Sequence, residues 1–166
     1  MNMKGWILLG TGIVLAGCSS EGEAGPPSHT GYVTEIDGDR MLVVEEEPED
    51  YSDTGGLETF YDAIWFEGTP EELLPGDFVH VWAEGAIAES YPGQGTAERA
   101  SIIQPEEYSG AELDEQQALE LALEETADDD ASTHYAVEDV TFEEGLWTVT
   151  LYDSIAQRSI EWEFEE

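Results

Sequence analysis

Short apolar runs separated by turn signals fill the chain between residues 31 and 103. The runs at 32–36 and 41–44 flank Asp37-Gly38-Asp39-Arg40, and Asp-Gly between two apolar runs is a strong β-hairpin signal. An acidic, glycine-containing stretch at 45–58 reads as a long loop. The elements predicted after it are a strand at 60–66, a helical turn at 69–74, a strand at 78–82, a short extended piece at 86–90, a turn at 92–95 and a last strand at 97–103.

Five or six short strands with turns between them favour a small barrel or a sandwich. Leu74-Pro75-Gly76-Asp77 precedes a strand of branched residues and resembles the entry to a late strand of an OB-type barrel. We therefore expect residues 31–105 to form an OB-like β-barrel.

The periodicity changes after a linker at 104–112. Asp114 and Gln117 have capping-box spacing, and apolar residues at 118, 119, 122 and 123 form one stripe, so a helix is predicted over 115–126. Alternating strands are predicted at 135–142, 147–152 and 159–165. Residues 111–166 are thus expected to form an α+β unit, a helix packed on a three-stranded antiparallel meander. Since units this small are marginal alone, we expect the two to pack together.

The amino terminus carries a different pattern. Lys4 precedes an apolar stretch at 5–16 that is too short to span a bilayer and reads as a secretory signal. Leu15-Ala16-Gly17-Cys18 resembles the lipobox of bacterial lipoproteins, in which the cysteine receives a diacylglyceryl group after the peptide is cut before it. We expect a signal peptide at 1–17, a lipid on Cys18 and a flexible tether at 18–30 that is rich in Gly, Pro and Ser. The alternative is an ordinary membrane anchor or an uncleaved helix.

Charge narrows the classes of partner. Cleavage before Cys18 would remove the only lysine and leave three arginines against 40 acids, a formal charge of 3 − 40 = −37. Such a field repels phosphate backbones, which argues against nucleic-acid binding, and it repels anionic headgroups. Self-repulsion is relieved by salt, so a saline or alkaline medium outside the cell is expected.

Two segments resemble known families. Gly85–Gln94, with its Glu-Ser-Tyr-Pro-Gly-Gln run, follows Leu74–Trp82, and together they look like the YobA-like domain of unknown function over residues 31–104. That resemblance implies a small lipoprotein of Gram-positive, spore-forming bacteria and carries no established activity. Residues 113–125, followed by residues 137–140 and Trp147-Thr148-Val149, are similar to a single PepSY-type repeat. PepSY modules are extracytoplasmic and often inhibit or hold peptidases.

The candidate ligand-binding residues are Glu89, Ser90, Tyr91 and Gln94, together with His80. A serine beside a carboxylate at a strand end can bind a ligand or a cation. The competing interpretation is structural, because Pro92 forces an extended conformation on Tyr91 and starts a turn. Glu89 would then bond loop amides or pair with Arg99.

Catalytic and metal-binding patterns are weak. No Gly-x-Ser-x-Gly elbow and no paired His or Cys pattern is present, and the histidines are dispersed. His80 alternates with Val79 and Val81, so it is expected on the outer face of the barrel, where Trp82 would share its side. Acidic runs at 45–58 and 127–131 are solvated surface or weak calcium ligands. The sequence therefore assigns no catalytic residue, metal or cofactor.

The sequence as a whole predicts a lipid-anchored extracytoplasmic protein that acts as a non-catalytic binding module for a basic protein or peptide. Two alternatives stay open. An enzyme acting on an envelope polymer predicts a cleft near Glu89, Ser90 and His80, whereas a weak calcium binder predicts clustered oxygens in the loop at 45–58.

Overall fold

The computed structural model describes residues 25–126 and 133–166. Its first unit is a closed five-stranded barrel with the strand order β1-β2-β3-β5-β4, in which β3 and β5 pair in parallel and the other pairs are antiparallel. The predicted OB-like barrel is confirmed. Its strands are β1 (His29–Asp37), β2 (Arg40–Val44), β3 (Ala63–Glu67), β4 (Phe78–Ala83) and β5 (Gly93–Ile103).

Strand alternation decides which side chains fill the barrel. Val79 and Val81 are fully buried, whereas Phe78, His80 and Trp82 between them are only partly buried on the outer side. Gly31 sits where β1 passes closest to β2, since a Cβ atom placed there would lie 2.0 Å from the carbonyl oxygen of Val44. The buried residues of the barrel core are Val33, Met41, Val43, Ile64, Phe66, Leu73, Val79 and Val81.

The second unit is a helix on an antiparallel sheet, as predicted. Helix α1 (Glu115–Thr126) lies against a sheet in the order β6 (Tyr135–Glu143), β7 (Leu146–Asp153) and β8 (Arg158–Glu165). The predicted capping box forms, because the Gln117 amide donates to Asp114 Oδ1 at 3.0 Å and the Asp114 amide donates to Gln117 Oε1 at 3.1 Å. The residues buried between helix and sheet include Ala118, Leu119, Ala122, Leu123, Trp147, Val149 and Leu151.

The two units share apolar contacts, which we call the seam. Tyr32 of β1 belongs to the same buried cluster as the α1 and β7 residues, and its hydroxyl donates to Glu115 Oε1 at 2.8 Å. A second buried cluster joins barrel residues to Ala136 and Tyr152, and the rings of Tyr61 and Tyr152 are 5.4 Å apart. The barrel residues of that cluster are Leu42, Val44, Tyr61 and Ala63. The expected packing of one unit on the other is therefore present.

Several local predictions are wrong in instructive ways. The segment 92–95 was expected to turn, but β5 begins at Gly93 because Gly93 and Gly95 let the strand lie close to Ile64 and Phe66. At 69–74 the chain makes one turn, in which the Leu73 amide donates to the Pro70 carbonyl at 3.2 Å, and β1 begins at His29, inside the expected tether. The loop at 45–58 contains a short 3₁₀ helix at Ser52–Thr54.

Some sequence predictions lie outside the described residues. These are the signal peptide with Leu15, Ala16 and Gly17, the lipid site at Cys18, the tether as far as residue 24 and the acidic run at 127–131. Within 25–126 and 133–166, no helix has the length and apolarity that a membrane crossing requires.

Truncating the seam should weaken both units together. Leu42 is 1% exposed and contacts the second unit, so Leu42→Ala should lower the free energy of unfolding by about 2–5 kcal/mol. Chemical denaturation followed by far-UV circular dichroism and by tryptophan fluorescence should give one shared, lowered midpoint. Leu74→Ala, at a position 48% exposed, is the control and should change the free energy by no more than about 0.5 kcal/mol. Separate midpoints for the two probes would contradict the shared core.

Candidate functional site

The Glu89-Ser90-Tyr91 segment forms a packed turn. Ser90 Oγ donates to the Pro92 carbonyl at 2.7 Å, and the Tyr91 hydroxyl donates to the Tyr61 carbonyl at 3.2 Å. The Tyr91 ring also lies 5.2 Å from the Phe60 ring, measured between centroids. Glu89 is exposed. Ser90 thus bonds within its own turn, whereas Tyr91 packs on distant residues, and both contacts fit the structural alternative that the sequence left open.

The structure separates the other two candidates. Gln94 pairs with Trp65 near the start of β5, whereas His80 pairs with Ser101 near its end. Seven residues of extended strand correspond to about 23 Å, so His80 does not join the segment around Ser90. Among the described residues, the fold therefore forms no cleft that contains both His80 and the segment around Ser90.

Trp82 lies outward with His80, as predicted, but its ring is covered. The Arg99 guanidinium lies 3.6 Å from the ring centroid, and Trp82 Nε1 donates to the Gly25 carbonyl at 2.6 Å. Arg99 therefore stacks on Trp82, and the expected Glu89–Arg99 ion pair is not formed among the described residues.

A groove of about 170 Å³ opens at the seam, and we call it the acidic groove. It brings together side chains from β1, the start of α1, the strand β6 and the segments that follow β2 and β5. No local pattern indicates this groove, because its residues come from positions up to 140 − 32 = 108 apart. The residues lining it are Tyr32, Glu46, Glu106, Tyr108, Glu115, Val137, Glu138, Asp139 and Val140.

Hydrogen bonds fix several of the side chains that line the acidic groove. Glu115 accepts from the Tyr32 hydroxyl through Oε1 and from the Glu106 amide through Oε2, at 2.8 and 2.9 Å. The Tyr108 hydroxyl donates to the Val140 carbonyl at 2.9 Å. Burial, with the nearby carboxylates, raises the pKa of Tyr108 to about 12 and that of Tyr32 still further. Both phenols therefore stay neutral, and the charge of the groove comes from its five carboxylates.

A second cluster, which we call the His29 cluster, consists of His29, Glu45 and Asp62. One ligand atom from each lies within 4.8 Å of the other two. His29 is 4% exposed, and Glu45 and Asp62 are partly buried. In the sequence His29 belongs to the predicted tether and Glu45 to a predicted solvated run, so their pattern does not indicate this group. No apolar alternation of β1 extends back through Gly31 and Thr30 to His29, so the sequence carries no local signal for this group.

Burial shapes the electrostatics of the His29 cluster. Desolvation lowers the pKa of His29, although Asp62 and the hydrogen bond to the Val43 carbonyl act in the opposite direction. Desolvation, together with the neighbouring charges of Asp62 and Glu49, raises the pKa of Glu45. The close approach of the Glu45 and Asp62 side chains is thus unfavourable unless a cation lies between them.

Comparison with known proteins adds a match over the barrel. Residues 30–104 match the model of a family described as a protein of unknown function, DUF3221. The search of curated proteins found no match, and neither did the search of solved structures. The matched range spans all five barrel strands except the first residue of β1, and it ends before α1. The barrel is therefore similar to a domain of unknown function.

Proposed function

We propose that the protein is a lipid-anchored, extracytoplasmic binding module that holds a basic segment of a protein or peptide partner in the acidic groove. The observation that carries this proposal is the meeting of five carboxylates around one groove at the seam. Anchoring through a lipid on Cys18 and the YobA-like and PepSY-type resemblances support a place on the outer side of a Gram-positive cell membrane.

The groove lacks its own counter-charge. Among the described residues its lining contains no basic side chain. Arg40 pairs with Asp37, Arg99 stacks on Trp82, and Arg158 lies on β8 opposite Asp153. An incoming lysine or arginine would supply the missing charge.

The walls also suit the shape of such a side chain. Tyr108, which is partly buried, lies beside the carboxylates, and aromatic rings attract ammonium and guanidinium groups. The stem of a lysine or arginine can pack on the partly buried Val140 while its charged end meets the acids. Electrostatic complementarity of this kind increases the association rate and selects the partner by charge.

The enzyme alternative has less support. It required Glu89, Ser90 and His80 at one cleft, and about 23 Å of strand separates the start of β5 from the residue opposite His80. Ser90 Oγ donates to a carbonyl in its own turn rather than to a general base. Binding without catalysis is the function that the geometry supports best.

Neutralising the rim of the acidic groove should weaken binding of a cationic peptide. The variant Glu46→Gln/Glu106→Gln/Asp139→Asn removes three exposed charges and leaves the Glu115 hydrogen bonds intact. The dissociation constant of a fluorescein-labelled (Lys-Gly)₅ peptide, measured by anisotropy with the full chain in detergent, should rise about tenfold. This magnitude follows from roughly 0.2–1 kcal/mol for each exposed ion pair.

A charge-matched control separates the groove from the general field of the protein. Asp53→Asn/Glu71→Gln/Glu72→Gln also removes three exposed charges, none of which lines the groove. It should change the dissociation constant less than twofold. Equal losses in both triple variants would show that the peptide follows the net charge alone, and the proposal would fail.

The anchoring part of the proposal predicts a defined mass. The protein purified from the envelope of its native host should lack residues 1–17 and carry a diacylglyceryl group on Cys18. Intact-mass spectrometry measures both, and Cys18→Ala should release the chain from the membrane fraction because the chain has no other cysteine. Retention of the first seventeen residues with an unmodified thiol would contradict the lipid anchor.

A further inference from the structure

We infer that His29, Glu45 and Asp62 form a binding site for a divalent first-row transition-metal ion, with Zn²⁺ as the probe. This site is separate from the acidic groove and does not depend on the proposed function. None of its three residues lines that groove.

The hydrogen bond of His29 fixes which ring nitrogen faces the cluster. Nε2 lies 3.2 Å from the Val43 carbonyl oxygen, which can only accept, so Nε2 carries the hydrogen. In the neutral ring Nδ1 then bears a lone pair, and it points to Glu45 Oε1 at 3.5 Å. Metal-binding histidines characteristically donate their other ring N–H to a backbone carbonyl in this way.

The surrounding barrel keeps the ring in this orientation. His29 is 4% exposed, pairs with Val81 across β1 and β4, and lies 6.0 Å from the Phe66 ring between centroids. A buried lone pair that faces carboxylate oxygens is unfavourable unless a proton or a cation lies between them. The fold therefore holds the His29 ring in place, and when the ring is neutral no hydrogen-bond donor among the described residues faces its Nδ1.

The β2–β3 ladder places the two carboxylates. Glu45 follows the last residue of β2 and Asp62 precedes the first residue of β3, where Val44 pairs with Ala63. The Glu45 amide donates to the Asp62 carbonyl at 2.9 Å, and Asp62 Oδ1 accepts from the Ala63 amide at 3.0 Å. Backbone pairing thus holds both side chains at one rim of the barrel.

The spacing suits a small ion. Zinc bonds to nitrogen and oxygen are near 2.1 Å, which gives about 3.4 Å between neighbouring ligands of a tetrahedron. The separation of His29 Nδ1 and Glu45 Oε1 is 3.5 Å. The remaining ligand atoms lie within 4.8 Å, a gap that small rotations of two partly buried carboxylates can close.

The donor set favours a transition metal over calcium. Imidazole nitrogen suits zinc and its neighbours in the first row, whereas calcium takes six to eight oxygen ligands. Three protein ligands leave at least one position of the ion open to water or to a further ligand. The alternative arrangement without metal is a protonated His29 paired with Glu45, and the experiment must separate the two.

The test measures the zinc affinity of the full chain in detergent, without a tag and after treatment with a chelator. The affinity is determined by competition with a chromophoric chelator. Millimolar Ca²⁺ is added so that exposed acids are occupied. We expect one tight zinc site per chain, and His29→Gln and Asp62→Asn should each weaken it at least tenfold. His80→Gln and Glu71→Gln are the matched controls and should change the affinity less than twofold.

A second variant distinguishes loss of the zinc site from loss of structure in the His29 variant. Glu45→Gln changes a partly exposed side chain and should also weaken zinc binding at least tenfold, with an unchanged circular dichroism spectrum. In ¹H–¹⁵N spectra of the imidazole rings at pH 7, zinc should shift Nδ1 of His29 and leave its Nε2–H in place.

Three results would overturn the inference. Zinc affinity that is unchanged in His29→Gln or Glu45→Gln would exclude the site. Tight binding that disappears in Ca²⁺ would show only adsorption to acids. A doubly protonated His29 ring that zinc does not alter would establish the ion pair with Glu45 instead.

Discussion

The seam between the barrel and the α+β unit is the contact on which the rest of the structure depends. A domain of about 60 residues buries only about 60% of the surface that its unfolded chain exposes, so each unit alone would be marginal. The chain has one cysteine and therefore no disulfide within itself. Leu42, Val44 and Tyr61 form one buried cluster with Ala136 and Tyr152 of the second unit, and this cluster adds to the separate core of the barrel.

The charge of the chain makes this burial necessary. Forty acids against four strong bases repel one another in any compact state, and that repulsion must be offset by packing. The acids are mostly exposed at strand ends, turns and the outer faces. Where the two units meet, however, five carboxylates face one groove, and at the barrel rim two carboxylates face a buried imidazole. The same packing that stabilises the fold therefore produces both places where a cation would be favourable.

Local signals in the sequence predicted most of the secondary structure. Asp37-Gly38 predicts the first hairpin, and Asp114 with Gln117 predicts the start of α1. The alternation around Trp147 predicts β7. Gly93 and Gly95 misled the prediction, because glycine marks a turn in sequence but here permits close packing of strands. No local pattern distinguishes these two uses.

Local sequence patterns could not predict the His29 cluster or the acidic groove, because both bring together residues that are far apart in the chain. His29 stands in a polar stretch that looks like tether, and only its pairing with Val81, 52 residues later, makes it buried. Glu45 and Asp62 read as ordinary surface acids until the β2–β3 register puts them side by side. The acidic groove likewise requires the docking of two units, which no periodicity predicts. Turn chemistry, by contrast, is local, and the hydrogen bond from Ser90 Oγ to the Pro92 carbonyl is compatible with the structural role that it favours.

Native-state hydrogen exchange tests the shared interior most directly. Amides of β3 in the barrel and of β7 in the second unit should open with the same free energy and the same dependence on denaturant, because one cooperative unit contains both. Opening of β7 at clearly lower free energy, while β3 remains protected, would show that the seam is only a weak contact between two independent domains.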